Sequence, residues 1–230
     1  MPKVFHRELK NMLTLTLIQK IAVWIVPVLL AITLHEAAHA WVASLCGDNT
    51  AKMLGRLSIN PVRHIDPIGT LVVPIVIAVL SQFQFVFGWA KPVPINWTRL
   101  KRPRLDTALV AAAGPTSNLM MALLWSICFK IGAMLHPETS TIALFMLLTG
   151  QAGILINLVF AFLNLIPIPP LDGSRILASI LPPRYAYQFL KLEPFGFYIL
   201  IALIFSGALS WLLNPPLNWS LHFISTLFNL

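Results

Sequence analysis

A long apolar run from residue 21 to residue 46 contains the sequence His35-Glu36-Ala37-Ala38-His39 and constrains the fold more than any other feature. Glu36 is the only Asp, Glu, Lys or Arg in this run, and about 20 apolar residues are enough for a helix to cross a bilayer. Side chains four residues apart lie on one face of a helix, so both imidazole rings can reach one metal ion. The run therefore predicts a membrane helix that carries metal ligands.

The composition of the whole chain indicates a membrane protein. Of its 230 residues, 57% are hydrophobic and 10% are charged, whereas ordinary soluble domains carry about 25% charged residues. We therefore predict an all-α polytopic membrane protein with the lipid bilayer as its surroundings. The formal net charge of +8 does not indicate nucleic-acid binding, because Lys and Arg cluster between apolar runs, as is typical of cytoplasmic loops.

The apolar runs predict about four to six membrane segments in a single domain, residues 1–230. Its catalytic core is expected at about residues 18–175, followed by a C-terminal helix and tail at 195–230. Turn residues such as Gly47-Asp48-Asn49 separate the runs. The predicted spanning helices lie at residues 18–46, 107–134, 141–165 and 195–213.

The region between the first two spanning helices is predicted to contain a short extended or re-entrant part. Residues 68–87 are apolar but contain Pro74, so they either cross the bilayer or enter it and return. Residues 88–96 are expected to be extended, because their prolines are excluded from a helix interior. Further along, we expect a surface helix at 174–187 and an interfacial tail at 215–230.

A third metal ligand is needed, since two histidines and a water leave one position open at zinc. The acidic residues that follow Asp106 are Glu138, Asp172 and Glu193. Glu138 falls in a loop on the far side, and Glu193 falls in a basic surface stretch. Asp172 lies at the end of a predicted membrane helix and is the candidate at a suitable depth. Its alternative role is to cap the helix that follows it.

These motifs in this order resemble the site-2 protease family of intramembrane zinc metalloproteases. The resemblance rests on HEAAH in one membrane helix and NLIPIPPLDG at the end of a later one. GRLSINPVRHIDPIGT and GWAKPVPIN are similar to a small bacterial branch without a PDZ domain, and AGPTSN resembles the glycine-proline-asparagine helix of the family. Where the family pattern often reads LDGG, Ser174 follows Gly173, a difference that leaves the metal ligands intact.

The resemblance implies a function and a set of roles. One zinc ion per chain would be bound by His35, His39 and Asp172, with Glu36 as the general base. The reaction would be hydrolysis of a peptide bond in a transmembrane protein substrate. It would take place near the cytoplasmic face of a bacterial plasma membrane, in a multi-pass protein.

A transmembrane substrate must unwind locally, and its freed N–H and C=O groups then need partners. The candidate partners are Asn164, Asn118 and Asn157, each of which could instead form hydrogen bonds between helices. The segment at 88–96 could offer a strand edge to the substrate, or be a structural surface loop. His64 could bind a second metal, gate the site or order its own loop through hydrogen bonds.

Orientation is predicted from charge asymmetry and from the metal site together. The clusters at Arg99–Arg104 and Arg175–Lys191 mark cytoplasmic loops, and residues 132–140, which lack Lys and Arg, are expected outside. The basic residues near the N-terminus favour an N-terminus inside. His35 and His39 lie near the Gly47 end of their helix and can meet Asp172 only if that end is cytoplasmic. We therefore predict that Gly47 lies on the cytoplasmic side.

Two rival functions remain open from sequence. The protein could be a catalytically silent relative that binds membrane proteins, although an intact Glu36 argues against this. It could also be a zinc transporter or sensor, although transporters usually repeat ligands along a path. No PDZ-like or nucleotide-binding segment is recognised in the chain, so we expect substrate selection to depend on the membrane region or on a regulatory membrane partner.

Overall fold

The structure is a computed structural model that describes residues 12, 15–66, 69, 72 and 91–230. These residues are largely helical, and no β-strand occurs among them. The α-helices of this part are α1 (Leu17–Leu45), α2 (Thr50–Met53), α3 (Pro103–Met134), α4 (Thr141–Leu165), α5 (Asp172–Ile180), α6 (Pro183–Leu190), α7 (Gly196–Phe205) and α8 (Ala208–Phe228). Short 3₁₀ turns lie at Pro61–His64, Trp97–Arg99 and Glu193–Phe195.

Four helical stretches of the described chain are long and apolar enough to cross a membrane. Three of them are α1, α3 and α4, and the fourth combines α6, the following turn and α7 as Pro183–Phe205. The predicted class, an all-α polytopic membrane protein, is thereby confirmed. The bounds of α1, α3 and α4 also agree with the predicted spans to within four residues at every end.

Helix α1 begins and ends on side-chain and backbone signals that the sequence contains. At its start, the Thr16 hydroxyl accepts the Gln19 N–H, and the Gln19 side chain accepts the Thr16 N–H. This reciprocal pair satisfies two of the donors that a helix N-terminus leaves without partners. At its end, Gly47 adopts a φ of +112° and turns the chain out of the helix.

Helices α3 and α4 form the centre of the bundle, and α1 packs against both. The main apolar cluster joins α3, α4 and α8, so the C-terminal helix belongs to the bundle. Its buried members are Ala122, Phe129, Leu147, Ile154, Leu158, Leu221 and Ile224.

The predicted spanning helix at 195–213 is wrong, because the chain forms two helices there. Helix α7 ends at Phe205, and Gly207 adopts a left-handed φ of +74° before α8 begins. Only glycine adopts this conformation without steric cost, which makes it the usual residue just past a helix end. The glycine in the apolar run was therefore the local signal for the break.

Residues 215–230, which we predict as an interfacial tail, are helical and continue α8 to Phe228. The helix passes through Pro215-Pro216, a pair that normally ends a helix because it lacks two N–H donors. Beyond the prolines, Leu221 is buried in the main cluster. Lys130 Nζ donates to the Phe228 carbonyl at 2.7 Å. Packing and this contact stabilise the helix despite the prolines.

The predicted surface helix at 174–187 is divided into α5 and α6. Leu181 lies between them in an extended conformation, with φ −66° and ψ 149°. It precedes Pro182, whose ring disfavours the helical conformation of the residue before it. Helix α5 begins at Asp172 itself, two residues earlier than expected.

Parts of three sequence predictions lie outside the described residues. Positions 67–68, 70–71 and 73–90 cover most of the apolar run predicted at 68–87 and the start of the extended segment predicted at 88–96. Positions 1–11 and 13–14 cover most of the N-terminal region whose basic residues favour an N-terminus inside. The rest of the extended segment, residues 91–96, has neither helix nor strand, as the prolines predict.

Candidate metal centre

Helix α1 presents two histidines on its buried face, as the spacing predicts. His35 is 7% exposed and His39 is 5% exposed. Their Nε2 atoms lie 3.0 Å apart. The two rings therefore converge on one point, and helix geometry alone accounts for the pairing.

The opposite nitrogen of each ring is held by α3. His35 Nδ1 lies 2.6 Å from Asn118 Oδ1, and His39 Nδ1 lies 2.7 Å from the Val110 carbonyl oxygen. Both oxygens accept hydrogen bonds, so each Nδ1 carries the proton and donates it. In the neutral rings both Nε2 lone pairs are then free for a metal.

The orientation of Asn118 is fixed by its other contacts. Its Nδ2 donates to the Ala31 carbonyl at 3.1 Å and to Asn157 Oδ1 at 2.9 Å. Asn157 Nδ2 in turn donates to the Gly153 carbonyl at 2.9 Å. Since both amide hydrogens are used, the Asn118 oxygen faces His35. A chain of hydrogen bonds thus runs from α4 through α3 to the imidazole on α1.

Gly114 is the point at which α3 approaches the two rings. A methyl group on Gly114 would lie 2.4 Å from His39 Nε2 and 2.5 Å from His35 Cε1. These separations are well inside van der Waals contact, so any larger residue would displace the rings. The glycine of the AGPTSN segment therefore shapes the centre.

Gly114→Ala is expected to lower zinc affinity by about 10- to 100-fold, the loss that follows when the groups around metal ligands are disturbed. The reason is that the added methyl group overlaps both rings. Competition with a chromogenic chelator on the purified protein measures this affinity.

Gly132→Ala is the matched control for that change. It adds the same methyl group to the same helix, where it would lie 2.5 Å from the Leu147 backbone nitrogen, away from the histidines. We expect it to lower the thermal unfolding temperature while the folded fraction keeps its zinc affinity. Equal zinc affinity in Gly114→Ala and wild type would contradict the role of Gly114.

Asp172 completes the group, as predicted, from the first turn of α5. Its Oδ2 atom lies 3.1 Å from His35 Nε2 and 3.3 Å from His39 Nε2. This oxygen is buried and has no hydrogen-bond partner among the described residues. Because Leu171 is the N-cap residue and α5 has no side-chain cap, the alternative in which Asp172 caps the following helix is wrong.

The three atoms have the separation that a metal ion requires. Bond lengths of about 2.0–2.1 Å in a tetrahedral zinc site place neighbouring ligand atoms about 3.3 Å apart. His35, His39 and Asp172 form the group of possible metal ligands found among the described residues. Two nitrogen lone pairs and a buried carboxylate oxygen repel one another without a cation. The donor set therefore fits one zinc ion.

Glu36 lies at the edge of this group and is half-buried. Its Oε2 atom accepts the backbone N–H of Val93 at 2.7 Å. Val93 belongs to residues 91–96, so this segment passes directly beside the HEAAH helix. The contact joins two motifs that lie far apart in sequence.

The segment at 91–96 is fixed to the end of α1 through Asp48. The carboxylate of Asp48 accepts the Asn96 N–H at 2.7 Å and the Thr50 N–H at 3.0 Å. Burial opposes ionisation of Asp48, but these hydrogen bonds and the Thr50 hydroxyl hold its pKa below the ordinary value. The charged form of Asp48 therefore anchors the segment.

His64 orders its own loop and is not part of the metal group. The ring is buried, and its Nε2 lies 2.8 Å from the Ser58 carbonyl. The His64 carbonyl accepts the Lys91 N–H at 3.0 Å. Of the three roles left open for His64, loop ordering through hydrogen bonds is the one that these contacts describe.

The three asparagines have different surroundings. Asn118 and Asn157 are fully buried and hydrogen-bonded to each other between helices. Asn164 is half-buried, and its Nδ2 donates to the Phe160 carbonyl of its own helix at 3.0 Å. Hydrogen bonding between helices thus describes the first pair, and Asn164 differs from it in being partly accessible.

The chain is similar to proteins that are named as zinc metalloproteases. "Putative zinc metalloprotease YwhC" of Bacillus subtilis is 36% identical over 213 residues, which cover 89% of this chain and 90% of that protein. "Putative zinc metalloprotease Rip2" of Mycobacterium tuberculosis is 30% identical over 212 residues, covering 91% and 73%. The corresponding Rip2 of Mycolicibacterium smegmatis is 28% identical over 195 residues, covering 85% and 71%. With four helical stretches that are long and apolar enough to cross a membrane and a group of possible metal ligands, the protein is a multi-pass membrane zinc metallopeptidase.

The family follows from the same comparisons. The sequence model of Peptidase family M50 matches residues 129–207, a range that includes Asp172 and excludes the HEAAH helix. The Bacillus subtilis relative aligns with both regions, since nine-tenths of each chain is covered. The protein belongs to peptidase family M50, and the resemblance to site-2 proteases is confirmed. No solved structure matches the chain significantly.

Proposed function

We propose that the protein hydrolyses peptide bonds of membrane-spanning protein substrates near the cytoplasmic face of a bacterial plasma membrane. The chain would form a single metalloprotease domain, residues 1–230. We also propose that His35, His39 and Asp172 bind one zinc ion. The observation that carries the proposal is the convergence of their three ligand atoms, 3.0–3.3 Å apart, among otherwise apolar helices.

The catalytic roles follow from the positions of the side chains. When bound, zinc supplies Lewis-acid chemistry, since it polarises a carbonyl group and makes water more acidic. Glu36 acts as general base, taking a proton from the attacking water and passing it to the leaving amine. The Nδ1–H groups of His35 and His39 remain hydrogen-bonded to acceptors on α3. Their Nε2 atoms therefore stay directed at the centre throughout.

The substrate is a transmembrane segment that unwinds beside Glu36. Its freed backbone groups need hydrogen-bond partners in a site that contains little water. Residues 91–96 run next to Glu36 and offer a strand edge to the substrate. Because the N–H groups of Lys91, Val93 and Asn96 are already donated within the protein, this edge offers mainly carbonyl groups. Asn164 is a further partner, because its amide is half-buried. Asn118 and Asn157 are assigned to orienting His35 instead.

A comparison of wild type with Glu36→Gln in proteoliposomes tests this function. Each protein is incubated with membrane proteins of its own organism, and new peptide termini are identified by mass spectrometry. We expect termini that depend on Glu36 and fall inside or at the edge of transmembrane segments. Zinc binding without any such terminus would favour the silent relative. Zinc flux into the vesicles would favour the transporter.

The orientation is tested by the accessibility of single cysteines in a background without Cys46 and Cys128. The Asn96 N–H bond to Asp48 and the Lys101 N–H bond to the Cys46 carbonyl support one common side for these loops. We expect Asn49→Cys and Thr98→Cys to react from the cytoplasmic side. Labelling of these two positions from opposite sides would contradict the topology.

Thr139→Cys is the companion measurement for the other end of the bundle. Thr139 is exposed in the turn that joins α3 to α4, at the end of α3 away from Gly114. We expect it to react only with reagent added outside. Reaction from the cytoplasmic side would reverse the proposed orientation of the metal centre.

A further inference from the structure

The segment Pro92-Val93-Pro94 offers one backbone N–H group, because proline has none. That group, the N–H of Val93, donates to Glu36 Oε2 at 2.7 Å. The flanking prolines leave the segment no neighbouring donor that could replace it. The donor and its acceptor thus form a specific pair between the segment and the HEAAH helix.

The position of this N–H is fixed by the chain on either side. Proline holds its own φ angle, and the residue before a proline is confined to extended conformations. Val93 precedes Pro94, and the Val93 side chain is 7% exposed in a cluster with Ala40 and Ala51. The donor is therefore held against α1 by its own side chain.

Both ends of the segment are also anchored by backbone hydrogen bonds. The Lys91 N–H donates to the His64 carbonyl at 3.0 Å, and the Asn96 N–H donates to Asp48 Oδ2 at 2.7 Å. The Val93 N–H lies between these two anchors. The segment consequently has little freedom to move relative to Glu36.

We propose that the backbone N–H of Val93 is a positioning group for Glu36. It holds Oε2 and so leaves Oε1 to meet the reacting water. The terminal torsion of a glutamate is broad, so without this donor the carboxylate would sample several orientations. The inference rests on the proposed function, in which Glu36 is the general base. The distance of 2.7 Å lies within the range of a good N–H···O hydrogen bond.

An amide-to-ester change at position 93 removes the donor and keeps the side chain. The full chain is made by cell-free translation into liposomes with 2-hydroxy-3-methylbutanoic acid in place of Val93. We expect kcat to fall by about 10- to 100-fold, because small misplacement of a catalytic group has effects of this size. KM should stay within about threefold and zinc content should be unchanged. An unchanged kcat, or a loss of zinc, would overturn the proposal.

Two controls separate positioning from general support of the segment. An ester at Lys91 removes the bond to the His64 carbonyl in the same segment. Arg56→Gln removes a donor to the Pro92 carbonyl. It is a control because the ester at 93 also turns this carbonyl into an ester carbonyl, which is a weaker acceptor. We expect Arg56→Gln to retain kcat within about threefold, and the ester at Lys91, which loosens one anchor of the segment, to lower kcat clearly less than the ester at 93 does. A fall in kcat in either control equal to that of the ester at 93 would overturn the proposal, because the segment would then support the site as a whole and the Val93 N–H would have no separate role.

A second readout does not depend on hydrolysis. Acetohydroxamate, a small zinc-binding probe, donates a hydrogen bond to a neighbouring carboxylate. We expect the ester at 93 to weaken acetohydroxamate binding by about fivefold in the wild-type background. It should have no effect in Glu36→Ala, because the acceptor is absent. An equal effect in both backgrounds, or none in either, would overturn the proposal. If wild type cleaves no substrate, the proposed function fails, but the comparison of acetohydroxamate binding in the two backgrounds still tests the contact between Val93 and Glu36.

Discussion

Glu36→Gln is expected to lower kcat by about 10²- to 10⁴-fold while the protein keeps its zinc and its fold. Glutamine has nearly the same shape and can still accept the Val93 N–H, but its amide cannot take a proton from water. The loss should therefore appear in kcat, with zinc content unchanged. Cleavage of a transmembrane substrate in proteoliposomes and metal analysis of the same preparation measure the two quantities.

Glu138→Gln provides the matched control for that variant. Glu138 is exposed in the turn between α3 and α4, far from the metal group in the fold. We expect it to retain activity within about twofold, as is usual for exposed positions away from a site. Comparable activity in wild type and Glu36→Gln would exclude Glu36 as the general base.

Asp172→Ala and His39→Ala are expected to lower zinc affinity by more than about 100-fold. Loss of a group that only hydrogen-bonds to a metal ligand lowers affinity by up to about 100-fold, and loss of a ligand itself should cost more. Each variant removes one of the three proposed protein ligands, and the remaining two are not expected to hold zinc tightly. Loss of Asp172 should have the larger structural consequence, because in the proposed site this residue would join α5 to α1 through the metal. Chelator competition and metal analysis measure the affinity, and circular dichroism reports whether the helices remain.

Glu193→Gln is the control for a carboxylate at the same end of the bundle. Glu193 Oε2 pairs with Arg175 at 2.9 Å and is exposed, so its loss should leave zinc affinity unchanged. Stoichiometric, tightly bound zinc in a folded Asp172→Ala protein would contradict the ligand assignment. It would indicate that another group binds the metal.

The metal group could be predicted from sequence because its signals are local or chemically rare. His35 and His39 lie on one helix face through their spacing alone. Asp172 was found because it is the one acidic residue after Asp106 that falls at the end of a predicted membrane helix, at a suitable depth. The structure then brings the three ligand atoms within 4.8 Å of one another. Burial of a carboxylate among apolar helices is costly, so the few that occur are informative.

Backbone groups at the site could not be predicted in the same way. The Val110 carbonyl and the Val93 N–H belong to residues with no polar side chain, and every residue except proline carries both groups. Their roles depend on which segment of the fold lies beside α1. Gly114 had a partial signal in the AGPTSN segment, but its contact with both imidazoles follows from how closely α3 packs on α1.

The C-terminal region was mispredicted because hydropathy does not report helix breaks. Residues 195–213 are apolar throughout apart from small residues, so a single span was the simplest interpretation. Gly207 ends α7, and α8 continues through Pro215-Pro216. In the first case a local conformational signal outweighed hydropathy, and in the second tertiary packing outweighed local propensity.

The convergent geometry also bears on the rival functions. His35, His39 and Asp172 meet at one point, whereas a transport path is expected to repeat its ligands. The adjoining Glu36 carboxylate is held by a fixed backbone donor, which suits a catalytic base. Both features support hydrolysis over transport or silent binding.

Zinc K-edge X-ray absorption of wild type and Asp172→Cys tests the ligand assignment most directly. Wild type should give nitrogen and oxygen neighbours at about 2.0–2.2 Å and no sulfur, and Asp172→Cys should gain one sulfur at about 2.3 Å. The native cysteines, Cys46 and Cys128, serve as internal controls, since neither belongs to the metal group. A sulfur neighbour in wild type, or none in a zinc-loaded Asp172→Cys protein, would contradict binding of zinc by residue 172.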